Sequence, residues 1–378
     1  MKIPFNIPFT SGSEKMYIQE SVDFTTYLPS NKYINKCKSF IEREWEFSNI
    51  YLTTSCTAAL EVCALLLNIE NGDEVIIPSY TFPSTANAFL RQGAKIVLAD
   101  SRNDYPGVDE KSLESLITDR TKAIVPVHYS GISCDMEIIM KVAEKYNLYV
   151  VEDAASAIDS KYNSKSLGSI GHLGCLSFHQ SKNLHCIEGG AIIINDDRFK
   201  ERVISILEKG TNRNEFINGN VSRYEWVGIG SSYMMSELHA AYLYAQLKTA
   251  GWIKNKRMIL WNEYFNSLYP LHEKKIIRLP VIPEFAHHNA HSFYILLGNP
   301  ERKEGLKSFL LKDGIQATVH YTALDRSKFW RANNISLPRI NNSNIYNDCL
   351  LRLPLFNSMT IAEVNQVTTS IMTYFKIR

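Results

Sequence analysis

The chain has 378 residues, of which 45% are hydrophobic and 21% are charged, which is enough for two domains with buried cores. Lys and Arg total 41 against 39 Asp and Glu, a net charge of +2. This balance argues against a nucleic-acid or membrane-surface binder, which would need a basic excess. The seven cysteines are scattered and form no Cys-x-x-Cys pair, which argues against a disulfide framework or a zinc ribbon. With no apolar run typical of a signal peptide or membrane span, we expect a cytoplasmic protein.

Between about residues 50 and 210, short β-rich runs alternate with helical ones, a pattern typical of an α/β fold with a mostly parallel sheet. Several of the runs are apolar throughout, as expected for strands buried on both faces. Asp135 is placed to cap a helix that continues to Lys145. The predicted strands are Glu74–Pro78, Lys95–Asp100, Ala123–Val127, Leu148–Glu152, Cys175–Phe178 and Ala191–Ile194.

The pattern changes after about residue 250, which predicts a large domain over 1–250 and a smaller α+β domain over 251–378. A single long helix is predicted over Leu238–Trp261. The further segments are an apolar run at Phe293–Leu297, a helix near Lys303–Lys312, the segment Ala317–Tyr321 and a closing helix from Ile361.

Four segments at predicted strand ends are candidates for a site, because ligands bind outside the carboxyl ends of open α/β sheets. Thr54–Leu60 is a Ser/Thr-rich turn that opens a helix and could bind a phosphate; a plain helix cap is the alternative. Pro78–Phe82 is an aromatic-rich strand exit that could stack on a flat heterocycle, or simply pack in the core.

The other two segments carry ionisable groups. Glu152 and Asp153 follow an apolar strand, where a buried acid needs a cation such as a pyridinium nitrogen. Because successive strand residues face opposite ways, only one of the two can face the site; a capping acid is the alternative. Lys182 follows another buried strand, five residues after Ser177, and could form an imine while the serine binds phosphate, although alone it would be a surface lysine. Together the four segments offer what pyridoxal 5′-phosphate (PLP) needs.

Three other site types are disfavoured by the sequence. His287, His288 and His291 lack the spacing of a metal site, so no metal is expected and a polar loop is preferred. Gly228-x-Gly230 breaks the dinucleotide fingerprint at its third glycine. A Gly-x-Ser-x-Gly elbow is absent from the sequence.

The chain resembles the DegT/DnrJ/EryC1/StrS family of PLP-dependent sugar aminotransferases over almost its whole length, from Ile3 to Phe356. Within the family it is most similar to transaminases that form dTDP-4-amino-4,6-dideoxygalactose. The segments that carry the resemblance are Leu52–Ala58, Gly72–Ile76, Pro78–Phe82, Val125–Tyr129, Glu152–Ala155, Lys209–Arg213 and Gly230–Tyr233.

The resemblance implies the aspartate-aminotransferase architecture (PLP fold type I) and a homodimer with shared active sites. It implies that Lys182 is the Schiff-base lysine and that Asp153 contacts the pyridine nitrogen. The other implied cofactor contacts are Thr57, Ala58 and Ser177 at the phosphate, Phe82 on the ring, and Ser232 reaching the neighbouring subunit's phosphate.

Two departures from the family pattern lie beside the expected cofactor. Ser156 stands where the family commonly has a glutamine that contacts the cofactor's hydroxyl. The loop between Lys182 and Glu188 is one residue shorter than expected, and Ile187 replaces a usual glycine. Both departures leave the local contacts open.

The expected reaction moves an amino group from L-glutamate to C4 of dTDP-4-keto-6-deoxyglucose, for surface polysaccharide synthesis. The alternatives are amination at C3 of a 3-keto sugar and a PLP sugar dehydratase, although a dehydratase would normally have histidine in place of Lys182. Arg213 is the candidate for a substrate contact, with His320 and Tyr321 near the sugar. Arg213 could instead anchor its own loop through a carboxylate.

Overall fold

The protein is described here by a computed structural model that covers residues 2–22, 31–333 and 340–376. Its strands are β1 (Ile50–Thr53), β2 (Glu74–Pro78), β3 (Lys95–Ala99), β4 (Thr121–Ile124), β5 (Tyr149–Asp153), β6 (Lys161–Tyr162), β7 (Lys165–Ser166), β8 (Leu173–Ser177), β9 (Gly190–Ile194), β10 (Ile277–Arg278), β11 (Ala286–His287), β12 (Phe293–Leu297) and β13 (Leu350–Leu353).

The described residues also form thirteen α-helices. They are α1 (Glu14–Val22), α2 (Lys32–Trp45), α3 (Cys56–Leu66), α4 (Pro83–Leu90), α5 (Met136–Lys145), α6 (Lys200–Leu207), α7 (Arg213–Ile217), α8 (Glu237–Leu247), α9 (Ala250–Glu273), α10 (Pro300–Lys312), α11 (Lys328–Asn333), α12 (Asn342–Cys349) and α13 (Ile361–Tyr374). Short 3-10 helices lie at Glu110–Leu116, Tyr129–Gly131, Asp197–Phe199 and Leu324–Arg326. No helix in the described ranges has the length and apolar character needed to cross a bilayer.

The large sheet has seven strands in the order β1-β9-β8-β5-β4-β2-β3. Strands β3, β2, β4, β5 and β8 are parallel to one another, whereas β9 is antiparallel to both β8 and β1. The predicted mostly parallel sheet is therefore confirmed. All six predicted strands are present, Glu74–Pro78 with the predicted bounds and the other five with shifted ends, and β1 is an additional edge strand.

Both faces of this sheet are covered by helices, which explains the continuously apolar strands. Along β2, Val75 and Ile77 pack in a core with α3, α4 and α6, whereas Ile76 packs in a second core with α2, α5 and α8. Neighbouring residues of a strand thus enter opposite cores. Asp135 caps α5 as predicted, because its side chain accepts a hydrogen bond from the backbone N–H of Ile138.

A second, antiparallel sheet follows in the order β10-β12-β13. It shares a hydrophobic core with α9, α10 and α13, which Ile3 joins from the start of the chain. A small third sheet pairs β11 with β6 and thereby links residues on either side of position 250. We propose the division at residue 250 because α9 begins there and the second sheet lies wholly after it.

The single long helix predicted over Leu238–Trp261 is wrong. The structure has two helices there, α8 and α9, separated by Lys248 and Thr249. The Thr249 hydroxyl donates to the carbonyl of Gln246 at 2.9 Å, so the side chain bonds the last turn of α8, and α9 begins at Ala250. Apolar residues recur at helical spacing on both sides of the break, so the sequence pattern does not indicate that one helix ends and another begins.

Candidate active site

A cavity of about 490 Å³ lies at the carboxyl ends of β2, β4, β5 and β8, where the sequence predicted a site. The segments after these strands line it, together with the N-terminus of α3. Three residues from the C-terminal part of the chain complete the wall. The lining residues include Phe5, Thr57, Phe82, Ser84, Thr85, Tyr129, Asp153, Ser156, Ser177, Lys182, His320, Tyr321 and Arg352.

Lys182 lies half-buried in this cavity, and its Nζ donates a hydrogen bond to the Ser156 hydroxyl at 2.9 Å. Burial lowers the pKa of Lys182, and the nearby carboxylate of Asp153 opposes this shift only in part. A lowered pKa raises the fraction of the neutral amine, the form that attacks a carbonyl carbon. The surface-lysine alternative therefore does not apply.

The two adjacent acids face opposite sides of the sheet, as strand geometry predicted. Asp153 lines the cavity, and its carboxylate accepts hydrogen bonds from the Thr85 hydroxyl at 2.8 Å and the Ala155 N–H at 3.2 Å. Glu152 is fully buried on the other side, 2.9 Å from His128 Nε2. Because Cys134 N–H donates to His128 Nδ1, Nε2 carries the proton that His128 donates to Glu152.

Three backbone N–H groups, those of Gly168, Ile170 and Gly171, also donate to Glu152. Glu152 therefore has a full set of partners within the fold. Asp153, in contrast, has no cation within ion-pair distance among the described residues. A carboxylate that is 5% exposed and lacks a cation fits a protonated ring nitrogen.

The N-terminus of α3 both caps the helix and faces the cavity. The Ser55 hydroxyl accepts a hydrogen bond from Ala58 N–H at 3.0 Å, so the capping alternative holds. Thr57 lines the cavity, with its hydroxyl 2.8 Å from that of Ser84. Ser177 also lines the cavity, whereas Ala58 is buried behind it. The free N–H groups of a first turn and two hydroxyls are groups suited to binding a phosphate.

An aromatic wall bounds the cavity. Phe82 is 55% exposed, and its ring centroid is 6.1 Å from that of Tyr321. Tyr321 stacks on His320 at 3.6 Å, and His320 Nδ1 lies 2.8 Å from the Tyr129 hydroxyl. Burial holds the pKa of His320 well below its ordinary value, so the imidazole is neutral. The structure therefore brings His320 and Tyr321 into the same cavity as Lys182.

Arg213 and Ser232 lie outside this cavity within one chain. Arg213 is the first residue of α7, and its Nη1 is 3.6 Å from Glu208 Oε2. Ser232 is exposed and forms an isolated bridge with Glu208. The loop-anchoring contact of Arg213 is thus present.

Sequence reasoning missed two residues of the site, Thr85 and Arg352. Thr85 is one helical turn after the strand exit, and nothing in its pattern indicates a bond to Asp153. Arg352 lies between leucines in the buried strand β13; a lone arginine in an apolar strand is the signal that could have found it. The three histidines of the 287–291 segment form no metal cluster among the described residues.

The donor set fits PLP. Lys182 and Asp153 lie in one cavity, with the phosphate seat at α3 and Phe82 beside the aromatic wall. Ser156 lines the same cavity, and its hydroxyl accepts a hydrogen bond from Lys182.

Comparison with known proteins identifies the family. A sequence model of the DegT/DnrJ/EryC1/StrS aminotransferase family matches residues 38–372. A relative, the uncharacterized protein MJ1066 of Methanocaldococcus jannaschii, is 33% identical over 286 residues, 73% of this chain and 72% of that protein.

Solved structures agree in fold over nearly the whole chain. The chain is similar to DesV of S. venezuelae, with 25% identity, a TM-score of 0.89 and coverage of 98% of both chains. It is similar to PseC of Helicobacter pylori, an aminotransferase involved in pseudoaminic acid biosynthesis, with 24% identity, a TM-score of 0.88 and 99% of both chains covered. NtdA of Bacillus subtilis, solved with bound pyridoxamine phosphate, shares 26% identity, with a TM-score of 0.85 over 98% of this chain and 86% of that one.

The cavity contains an amine of lowered pKa, a buried carboxylate and groups suited to a phosphate. This set of groups agrees with the PLP-dependent aminotransferase family that the comparisons identify. The chain belongs to the DegT/DnrJ/EryC1/StrS aminotransferase family and is a PLP-dependent sugar aminotransferase of fold type I.

Proposed function

We propose that the enzyme transfers the amino group of L-glutamate to C4 of dTDP-4-keto-6-deoxyglucose, forming a dTDP-4-amino-4,6-dideoxyhexose for surface polysaccharide synthesis. The observation that carries the proposal is the single cavity in which Lys182 faces the wall of Phe82, His320 and Tyr321. Aromatic faces and a neutral imidazole suit an uncharged keto sugar, and sequence resemblance within the family supplies the position of amination.

PLP, when bound, supplies an electrophilic carbonyl and a ring that withdraws electrons from the reacting carbon. Asp153, held by the Thr85 hydroxyl, would keep a proton on the ring nitrogen. Thr57 and Ser177, which line the cavity, would bind the phosphate, and Phe82 would pack against the ring.

Lys182 would hold the cofactor in the resting enzyme, and its neutral amine would move the α-proton of the donor. Ser156 accepts a hydrogen bond from that amine and orients it. Lys182 therefore needs the lowered pKa that burial gives it.

We infer a homodimer from the apolar surface of the segment 213–230. Six of its large apolar side chains are exposed, which is unusual unless a partner covers them. They are Phe216, Ile217, Tyr224, Trp226, Val227 and Ile229. In such a dimer Ser232 and Arg213, which lie outside their own cavity, would belong to the partner's site, where Arg213 binds the substrate diphosphate.

Two alternatives remain within PLP chemistry. Amination at C3 of a 3-keto sugar uses the same residues and differs in how the sugar is seated. A sugar dehydratase is disfavoured by Lys182, whose amine lies in the cavity.

The test is the structure of the product. Purified enzyme with L-glutamate and dTDP-4-keto-6-deoxyglucose should give a 4-amino sugar nucleotide, with the position and configuration of the amine read by NMR. Lys182→Ala should give no product while keeping the wild-type melting temperature. A 3-amino product, loss of oxygen without amination, or substantial turnover by Lys182→Ala would each overturn the proposal.

A further inference from the structure

Two buried turns with unusual backbone conformations meet behind the cavity. In the turn that follows β4, Ser130 has a φ of 59° and Gly131 a φ of 79°; in the turn before β12, Ala290 has a φ of 52°. A left-handed φ is uncommon for residues other than glycine and costs free energy, so it persists only where surrounding contacts impose it. The Ser130 hydroxyl donates to the Ser292 carbonyl at 3.1 Å, which bonds one turn to the other.

Asn289 lies at the centre of this contact and is 1% exposed. A Cβ added at Gly131 would clash with Asn289 Oδ1, so the close approach of the two turns requires a glycine at 131. The same Oδ1 accepts a hydrogen bond from the His291 N–H at 3.0 Å. The left-handed turn at Ala290 therefore brings the backbone of His291 back onto the side chain of Asn289.

The side-chain amide of Asn289 holds the segment that carries Ser156. Its Nδ2 donates to the carbonyls of Ser156 at 2.9 Å and Ile158 at 2.8 Å. The hydroxyl of Ser156 accepts a hydrogen bond from Lys182 Nζ at 2.9 Å. Asn289 is thus connected to the amine of Lys182 through a single residue.

The backbone of Asn289 holds the chain on the other side of the amine. Its carbonyl accepts a hydrogen bond at 2.9 Å from Nδ2 of Asn183, the residue that directly follows Lys182. Asn183 Oδ1 lies 3.2 Å from His291 Nδ1. Asn289 therefore fixes both the acceptor of the Lys182 amine and the residue next to Lys182.

Asn289 is itself held in place from the C-terminal part of the chain. Arg257 is buried, and its guanidinium donates to the carbonyls of Ala290, His291 and Leu355 at 3.0, 2.7 and 3.2 Å. Both N–H donors and the oxygen of the Asn289 side chain have partners. A buried polar network in which every member is paired specifies one arrangement.

We propose that Asn289 is a positioning residue for Lys182, which keeps the Ser156 hydroxyl against the amine and thereby controls how much of the amine is protonated. An accepted hydrogen bond favours the ammonium form, so an acceptor that is no longer held releases the neutral amine. The competing explanation is that Asn289 only fastens the two turns together. The positioning role rests on the proposed function of Lys182, and it is independent of which sugar or donor is used.

The charged groups around Lys182 are not those that Asn289 holds. Burial is the main cause of the lowered pKa of Lys182, and Cys56, Asp153 and Arg352 make smaller contributions. His291 and His320 also face the amine, and burial keeps the pKa of both well below the ordinary value, so both are neutral. Within the described residues, the hydrogen bonds of the Asn289 side chain go to backbone groups and to neither Asp153 nor Arg352.

The experiment is competitive acetylation of the cofactor-free protein over a series of pH values, with labelling of Lys182 read by mass spectrometry. The plateau rate at high pH reports access to the amine, and the ratio of the rate at neutral pH to this plateau reports its protonation. Asn289→Ala should raise the ratio roughly threefold or more, because the ammonium form loses its acceptor.

Asn357→Ala is the matched control. Asn357 is 3% exposed, donates to the Ile253 carbonyl at 3.0 Å and accepts from Arg257 at 3.3 Å. It is therefore a buried asparagine of the same network that has no hydrogen bond to the segments of Ser156 and Lys182. Its removal should loosen the C-terminal part of the chain and leave the Lys182 ratio at the wild-type value.

A double-mutant cycle tests the path through Ser156. In a Ser156→Ala background, Asn289→Ala should change the ratio by less than about 1.5-fold, because two residues that act through one contact are not additive. The full effect in that background, a wild-type ratio in folded Asn289→Ala, or an equal effect of Asn357→Ala would each overturn the positioning role. If Asn289→Ala does not fold, Asn289→Ser takes its place in the cycle, since it keeps a donor and leaves a smaller cavity.

This labelling uses neither donor nor sugar nucleotide, so a wrong substrate assignment leaves its result intact. An enzyme with Lys182→Ala that retains turnover would instead remove the basis of both proposals.

Discussion

The adjacent carboxylates Glu152 and Asp153 lie on opposite sides of strand β5. Asp153 lines the cavity, whereas Glu152 is hydrogen-bonded within the fold. We predict that Asp153→Asn keeps PLP bound but slows the half-reaction with glutamate on the order of 100-fold or more, because an amide cannot hold the ring proton. Single-turnover absorbance measures this rate. Near wild-type turnover would assign the ring nitrogen to another group.

Glu152→Gln is the matched comparison. Its carboxylate holds His128 and three backbone N–H groups, so the expected loss is in folding. The free energy of unfolding should fall by at least ~2 kcal/mol, the scale of lost hydrogen bonds to a charged group. Denaturant unfolding and the half-reaction rate of the remaining folded enzyme separate this effect from that of Asp153→Asn.

Ser156 gives a second prediction, on the state of the Lys182 amine. Its hydroxyl accepts from Nζ at 2.9 Å, and Asn289 fixes its backbone by donating to its carbonyl at 2.9 Å. An accepted hydrogen bond favours the ammonium form, so Ser156→Ala should lower the pKa of Lys182 further. Competitive acetylation of the cofactor-free protein, followed by mass spectrometry, should show faster labelling of Lys182 at neutral pH. Ser156→Thr keeps a hydroxyl and should label like wild type; equal labelling of all three proteins would contradict the prediction.

At the scale of elements, the strands that consist of a continuous apolar run were predicted from the sequence. The strands β2, β3, β5 and β9 agree closely with prediction because both their faces are covered. The break between α8 and α9 was missed because it depends on one local bond from Thr249. The bond between Thr85 and Asp153 could not be predicted, because the two residues are 68 positions apart in the chain and meet only through the strand order β5-β4-β2 of the sheet.

The helix α7 carries a prediction for Arg213, whose partner in the chain is Glu208. If Arg213 binds the diphosphate in a dimer, Arg213→Ala should raise the KM for the sugar nucleotide about tenfold and lower kcat less, as loss of uniform binding does. The half-reaction with glutamate should not change. Glu208→Gln is the control, because it removes only the anchoring contact. Identical kinetics for the two variants would show that Arg213 only anchors its helix.

At the scale of the whole molecule, the cavity draws its wall from distant parts of the sequence, from Phe5 to Arg352. Motifs near the strands of the large sheet predicted the cofactor side, because parallel strands bring their ends to one edge. On the opposite wall, His320 and Tyr321 were placed near the sugar only with the help of the family resemblance, and Arg352 was not predicted. The reason is that no local sequence pattern fixes how the C-terminal sheet packs against the large sheet.

The last prediction concerns assembly. The segment 213–230 exposes Trp226 at 81% and Ile229 at 75%, and a stable dimer of this family type would bury roughly 2,000 Å² or more in total. We expect the wild type to sediment as a dimer at micromolar concentration.

Trp226→Ser should raise the dissociation constant of the dimer at least tenfold, since a buried tryptophan at an interface is often a dominant contact. Trp252→Ser is the control, because Trp252 is 53% exposed and packs on Phe9 outside the segment 213–230. This variant should leave the dissociation constant of the dimer unchanged. Specific activity of Trp226→Ser should fall on dilution in step with the dimer fraction, because each site needs residues of both chains. A wild-type monomer with full activity would remove the basis for placing Ser232 and Arg213 in the partner's site.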